Sequence, residues 1–277
     1  MTRLRARDVA AVARDLDAYD RDLKFRTGLT LRGIACRAAG IDEPEFVRRS
    51  ASSRAAVVSF TCGEGVIAGF AESLQRILSH LGLPTTVMAE PDVAGLAAAY
   101  ADGSELVLLA DDLRFIAVNT NRRAVVDNAE ATGAGFAWGL NRMAGGLEGR
   151  PVLVLGCGPV GRSAALTLGR MGASVSLCDV DPAVSGQSAR RLLEWGVAAS
   201  VTSDITPALN RHRLIVDATP VPNLIGEEHI HADTFISAPG VPVGLTAAAV
   251  DKIAGRLLHD RLEIGVAVMA AGAVAGH

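Results

Sequence analysis

An α/β fold in two lobes, the C-terminal one a Rossmann-type, doubly wound parallel sheet, is predicted by three features of this 277-residue chain. A strand–glycine loop–helix–strand unit runs from Pro151 to Asp181. The same strand–loop–helix order occurs earlier, from Ala55 to Leu81. Short apolar runs of strand length also alternate with runs of helical period through both halves. A chain that is 49% hydrophobic at this length has core enough for two domains of ordinary size. The glycines Gly145, Gly146 and Gly149 read as a hinge between them. The expected division is 1–145, a smaller N-terminal α/β lobe with a leading helix, and 146–277, the Rossmann lobe with a C-terminal helix.

Taken in order, residues 7–24 place Val9, Val12, Ala13, Leu16, Tyr19 and Leu23 on one face of an amphipathic helix. A second short helical run ends near Arg37, and the polar stretch from Gly40 to Ser53 reads as loop. Ala55 to Phe60 is a strand that enters Thr61-Cys62-Gly63-Glu64-Gly65, and Ile67, Phe70, Leu74, Ile77, Leu78 and Leu81 then recur at helical spacing. Cys62 and Glu64 therefore stand beyond a strand's carboxyl end, where open α/β sheets bind ligands. Strands at Thr85–Met88 and Glu105–Ala110 flank a helix that starts at Pro91-Asp92. The second of these strands ends in Asp111-Asp112, which should join Cys62 and Glu64 on one edge. Either aspartate could instead cap the following segment. Phe115–Val118 is a further strand, Asn119–Arg123 turns, and Asn128 reads as the N-cap of a helix rich in small residues.

The unit from Pro151 assigns its glycines separate tasks. Gly156 permits the turn out of the strand, Gly158 clears the backbone approach to a pyrophosphate, and Gly161 lets the helix begun by Pro159 and Val160 pack on the sheet. The helix N-terminus then presents its free N–H groups to the phosphates. Asp179 ends the second strand at about the 20-residue spacing of an acid that grips ribose hydroxyls, which favours NAD over its 2′-phosphorylated form. Farther on, a strand runs into Asp217-Ala-Thr219-Pro220 with Asn223 beyond, and another into Pro239-Gly240. Both loops are expected beside the nicotinamide half. A last strand near residues 256–259, then Asp260, leads to an apolar Gly/Ala-rich helix that other elements must cover.

The charge balance of −3 offers nothing to an acidic polymer or an anionic membrane, and no basic recognition helix is visible for nucleic acid. The N-terminus lacks the apolar segment of a secretory signal. The run Ile264–Ala275 falls short of the ~20 residues a membrane span needs. A cytoplasmic protein without a membrane partner is expected, with a homodimer left open. Cys36, Cys62, Cys157 and Cys178 show no metal-ligand spacing, and neither do the six histidines, so no metal site is expected. On these residues alone the chain is expected to bind a dinucleotide; another NAD-dependent amino-acid or imine oxidoreductase with the same two lobes, and a non-catalytic NAD sensor, are the readings that compete with the one further motifs suggest.

Several motifs taken together narrow this further. Thr27-Gly28-Leu29, Gly63-Glu-Gly-Val-Ile67, Phe70-Ala-Glu72-Ser-Leu74, Pro91-Asp92-Val93, Ala110-Asp111-Asp112, Asp127-Asn128, Thr132-Gly133, Ala218-Thr219-Pro220 and Pro239-Gly240 with Pro242 stand in one order over nearly the whole chain. In that order the chain resembles the pyrrolysine synthase family. Shikimate and tetrahydrofolate dehydrogenases share only the two-lobe layout. The resemblance implies NAD-dependent oxidation of the terminal amine of 3-methylornithyl-lysine, loss of ammonia from the imine, and ring closure to pyrrolysine. It also implies that Asp111 and Asn128 belong to the substrate site, that Leu4 closes over the lysine chain, and that Asp260 holds an amino group. The first glycine loop departs from the family pattern, with Cys62 where serine is usual and Glu64 where asparagine is. An ammonium must lose a proton before hydride can leave the adjacent carbon, so a carboxylate or a water chain within hydrogen-bond reach is required. Asp111 is the first candidate and Glu64 the second. An acidic edge of Glu64, Asp111 and Asp260, with no basic residue near it in sequence, suits a substrate bearing several ammonium groups.

Overall fold

Both expected sheets form in the computed structural model, which describes residues 4–10, 12 and 15–276. Ala13 of the expected first helix lies outside them. Two helices replace that one: α1 (Ala6–Ala10) and α2 (Leu16–Thr27). The second helix starts afresh because the Asp15 carboxylate accepts a hydrogen bond from the Ala18 amide, an N-cap. After α3 (Leu31–Ala38), the stretch expected to be loop contains a further helix, α4 (Glu43–Ser52). Pro44 suits its first turn, Glu45 pairs with Arg49 one turn on, and Phe46 is fully buried. One deep aromatic anchor, stabilising by roughly 1.5–3 kcal/mol, outweighs the polar composition that suggested a loop.

The first sheet has the order β2-β1-β3-β4-β5, built from β1 (Ala55–Ser59), β2 (Thr85–Val87), β3 (Leu106–Ala110), β4 (Phe115–Asn119) and β5 (Ala124–Asp127). The first three are parallel, joined through α5 (Phe70–His80) and α6 (Asp92–Ala101). The last two are antiparallel, so the turn at residues 119–123 is a hairpin whose second strand the sequence reading missed. Asp127, not Asn128, caps the next helix, accepting from the Ala129 amide; Asn128 is the first residue of α7 (Asn128–Met143).

The second sheet runs β11-β10-β9-β6-β7-β8 and is parallel throughout. Its strands are β6 (Pro151–Leu155), β7 (Ser174–Cys178), β8 (Ala199–Val201), β9 (Leu214–Asp217), β10 (Phe235–Ser237) and β11 (Leu257–Leu258), with α8 (Pro159–Arg170), α9 (Pro182–Glu194), α10 (Ile205–Arg211) and α11 (Ala247–Ile253) between them. Strand order reverses between β6 and β9, which places the switch point of a doubly wound sheet there.

The terminal helix α12 (Glu263–Ala275) follows β11 yet packs on α3, α5, α7, β4 and β5, and Glu263 to Val274 are buried. In sequence it falls after the 145/146 division; in space it covers the first sheet. Small residues permit this. A Cβ at Gly135 of α7 would come within 2.4 Å of Ile264, and one at Gly265 within 2.3 Å of the Thr132 hydroxyl. Among the described residues no helix is long and apolar enough to cross a membrane.

Candidate active site between the two sheets

A cavity of about 470 Å³ opens between the carboxyl ends of β1 and β3 and those of β6, β9 and β10. Its two walls come from the two strand–loop–helix units. On the first wall, carboxylates hold the loop after β1. Asp92 accepts from both the amide and the hydroxyl of Thr61, at 2.8 and 2.6 Å, and is held below the usual carboxylate range by those bonds. Asp112 accepts from the Glu64 amide at 2.8 Å, and Gly63 is so close to it that a Cβ would stand 1.8 Å from the carboxylate. The Asp112 side chain thus shapes the loop.

Asp111 and Cys62 line the cavity from this wall, with Phe70 and Phe115 in edge-to-face contact at 5.4 Å behind them. Asp111 is exposed, and its Oδ1 accepts from the amides of Leu113 and Arg114 at 2.8 and 2.7 Å. Those two bonds favour the charged form and lower its pKa. Glu64 is exposed at the loop and does not line the cavity. Leu4 does, as does Asn128, whose amide nitrogen is buried with no hydrogen-bond partner.

On the second wall, a glycine loop opens onto the cavity. Gly156 turns with φ +80°, and its amide donates to the Cys178 carbonyl. A Cβ at Gly161 would lie 1.8 Å from the Gly156 carbonyl oxygen, whereas one at Gly158 would meet nothing within 4 Å. That open cradle, at the uncapped start of α8, is the space a pyrophosphate needs. Asp179 closes the loop from behind, its Oδ2 accepting from the Cys157 amide at 2.6 Å and its Oδ1 from Asp181. Gly158, Pro159, Val160, Gly161, Thr219, Pro239 and Gly240 line the cavity; Gly156, Asp179, Pro220 and Asn223 do not. Burial pushes the Cys157 thiol up to about 12, so it stays an uncharged packing group.

Asp260 is placed differently from its neighbours. It is buried behind the cavity, its Oδ2 accepting from the Tyr19 hydroxyl at 2.7 Å, while Arg261 and Leu262 reach the lining. Burial first, then the nearby Glu263, raises its pKa to about 8. The expectation of an acidic edge with no basic residue near it in sequence needs correction, since Arg261 directly follows Asp260 and lines the cavity, the only basic one among the described lining residues. Sequence reading also missed Thr132, one helical turn after Asn128, although that spacing signals a shared face. Among the described residues no cluster of His, Cys, Asp or Glu could hold a metal ion.

The geometry can be set beside known proteins. A solved quinate dehydrogenase from Corynebacterium glutamicum in complex with NAD superposes with a TM-score of 0.57 at 15% identity, covering 81% of this chain and 94% of that one. A shikimate dehydrogenase from Aquifex aeolicus gives 0.56 at 17% identity, covering 79% and 91%. At these identities the likeness shows a shared fold. A family model described as pyrrolysine biosynthesis protein PylD, N-terminal domain, matches residues 8–126, and one described as alanine dehydrogenase/PNT, C-terminal domain, matches residues 124–238. Two curated proteins named pyrrolysine synthase match almost end to end: one from Methanosarcina acetivorans at 29% identity over 97% of this chain and 98% of its own, and one from Methanosarcina barkeri at 30% over 95% and 94%. The first-lobe loop that offers side chains, the second-lobe loop that offers backbone, and identity sustained across both lobes lead to one conclusion: the chain belongs to the pyrrolysine synthase family.

Proposed function

We propose that this protein carries out the last step of pyrrolysine formation, an NAD-dependent oxidation of the terminal amine of 3-methylornithyl-lysine followed by ammonia loss and ring closure. The observation that carries the reading is a single cavity with the Asp111 carboxylate on one wall and the open Gly158 cradle on the other. NAD, when bound, supplies the oxidising power by accepting a hydride. In this reading Gly158, Val160 and Gly161 hold its phosphates with backbone, and Asp179 at the end of β7 takes the adenosine ribose. Ala218, Thr219, Pro239 and Gly240 form the wall for the nicotinamide end.

Asp111 pairs with the reacting ammonium and receives its proton, which frees the nitrogen lone pair. Its Oδ1 is committed to the turn at Leu113 and Arg114, so Oδ2 is the oxygen for substrate. A lowered pKa keeps the group charged at neutral pH, ready to pair with the cation and to accept its proton as the nitrogen lone pair is freed. Asn128 belongs to the substrate wall, and Leu4 covers an aliphatic stretch. Asp260, held by Tyr19, acts from behind the lining rather than on the reacting amine. Four free thiols fit a reducing, cytoplasmic setting.

Purified protein mixed with NAD and 3-methylornithyl-lysine should produce NADH absorbance at 340 nm together with one ammonia per turnover. Reduction of NAD by another amino acid but not by this substrate would move the assignment to a different amino-acid oxidoreductase. NAD binding with no amine oxidised would leave a sensor.

A further inference from the structure

We propose that Asp217 is a positioning residue for the nicotinamide half of the cofactor, acting through Thr219; the inference rests on the dinucleotide reading above. Asp217 closes β9, next to β6 at the switch point of the second sheet. Its side chain has no exposed surface, and it does not line the cavity. Oδ1 accepts from both the amide and the hydroxyl of Thr219, at 3.1 and 2.7 Å, and Thr219 does line it.

One glycine makes room for this carboxyl and a second for the backbone beside it. A Cβ at Gly244 would lie 2.1 Å from Asp217 Oδ2, and one at Gly240 2.1 Å from the Thr219 carbonyl oxygen. The Gly240 amide donates to the Asp217 carbonyl at 3.1 Å, and the Gly244 carbonyl accepts from Leu224 and Ile225 at 2.6 and 3.0 Å. The loops after β9 and β10 are therefore tied to each other and to one buried acid. Among the described residues no cation pairs with it, and burial raises its pKa against the lowering effect of hydrogen bonds from Thr219 and from the Gly244 backbone. A carboxyl in that setting works as a fixed, correctly shaped acceptor for the Thr219 hydroxyl. An asparagine oxygen can do the same.

The test compares NADH with ADP-ribose, which lacks only the nicotinamide, by fluorescence and calorimetric titration of the whole protein. Asp217→Ala should raise the NADH Kd about 10-fold, the scale of one lost hydrogen bond, while the ADP-ribose Kd stays within about 2-fold. Asp217→Asn should recover most of that loss. Thr219→Val, which removes the hydroxyl alone, should show the same split at smaller size, and it carries the test if the alanine variant does not fold. Equal losses for both ligands, an unchanged NADH Kd in either Asp217→Ala or Thr219→Val, or an asparagine variant no better than alanine would each overturn the proposal. Wild-type protein that binds neither ligand would sink the dinucleotide reading itself, and this inference with it.

Discussion

The two strand–loop–helix units differ in what they present. After β1 the chain takes ten residues, 60–69, to reach α5, and carboxylates of Asp92 and Asp112 brace it so that Cys62 and the neighbouring Asp111 face the cavity as side chains. After β6 it takes three, 156–158, to reach α8, with Gly161 pressed on Gly156 and nothing above Gly158. One motif order thus suits two purposes under the proposed function: a long, side-chain-bearing loop to select chemistry, and a short, bare loop to hold a phosphate group. Substitutions in the first should alter turnover and leave NADH binding alone. Those in the second should do the reverse.

The largest effect should come from Asp111→Asn. Losing the proton acceptor should lower kcat by about 10²–10⁴-fold with NADH affinity unchanged within error. Equal kcat in this variant would remove Asp111 from the chemistry and break the contrast. Next is Gly161→Ala, whose methyl would collide with the Gly156 carbonyl at 1.8 Å. Because that contact is backbone, the loop must shift. Thermal unfolding should show a loss of about 1–3 kcal/mol, and NADH binding should weaken, while substrate-dependent protection of Cys62 from alkylation persists.

How far the sequence foretold all this follows the same contrast. The bare loop was readable residue by residue, because a turn, a phosphate approach and a helix–sheet contact each demand glycine for reasons independent of the rest of the chain. The braced loop was readable only as a location. Which of its side chains reach the cavity depends on Asp92 and Asp112, which lie 31 and 48 residues from their partners Thr61 and Glu64. That long-range bracing is why Glu64 was expected in the cavity edge and is found beside it. Helix α4 was hidden by polar composition with one decisive Phe46, and the position of α12 was hidden because an apolar helix says only that it is covered, never by what. Asp260 is the sharpest case. The family resemblance suggested that it holds a substrate amino group, whereas Tyr19, 241 positions away, holds it behind the lining.

Asp260 belongs to neither loop and offers a control on both. Its pKa is about 8 in the folded protein against an ordinary 3.8. Between these values the folded chain keeps a proton that the unfolded chain releases, so stability from this site is fully present below about pH 4 and falls as pH rises towards 8. Melting temperature should therefore decline through that window, and Asp260→Asn should flatten the decline while keeping the contact with Tyr19. Parallel curves for the two proteins would mean that Asp260 ionises normally and reaches water.

The smallest effect should be that of Cys62→Ser, which restores the family's usual residue. Cys62 lines the cavity and is exposed, so the exchange costs no packing, and the serine hydroxyl is the stronger hydrogen-bond partner. If the side chain meets a polar group of the substrate, KM should fall about 2- to 5-fold with kcat and NADH affinity untouched, the scale of a modest gain in one exposed hydrogen bond. A change in NADH affinity would instead mean that the two walls are mechanically linked through α7, whose Gly133 packs directly on the Val160 backbone of α8. The division of labour would then be a matter of degree, with the substrate loop helping to set the opening through which the cofactor enters.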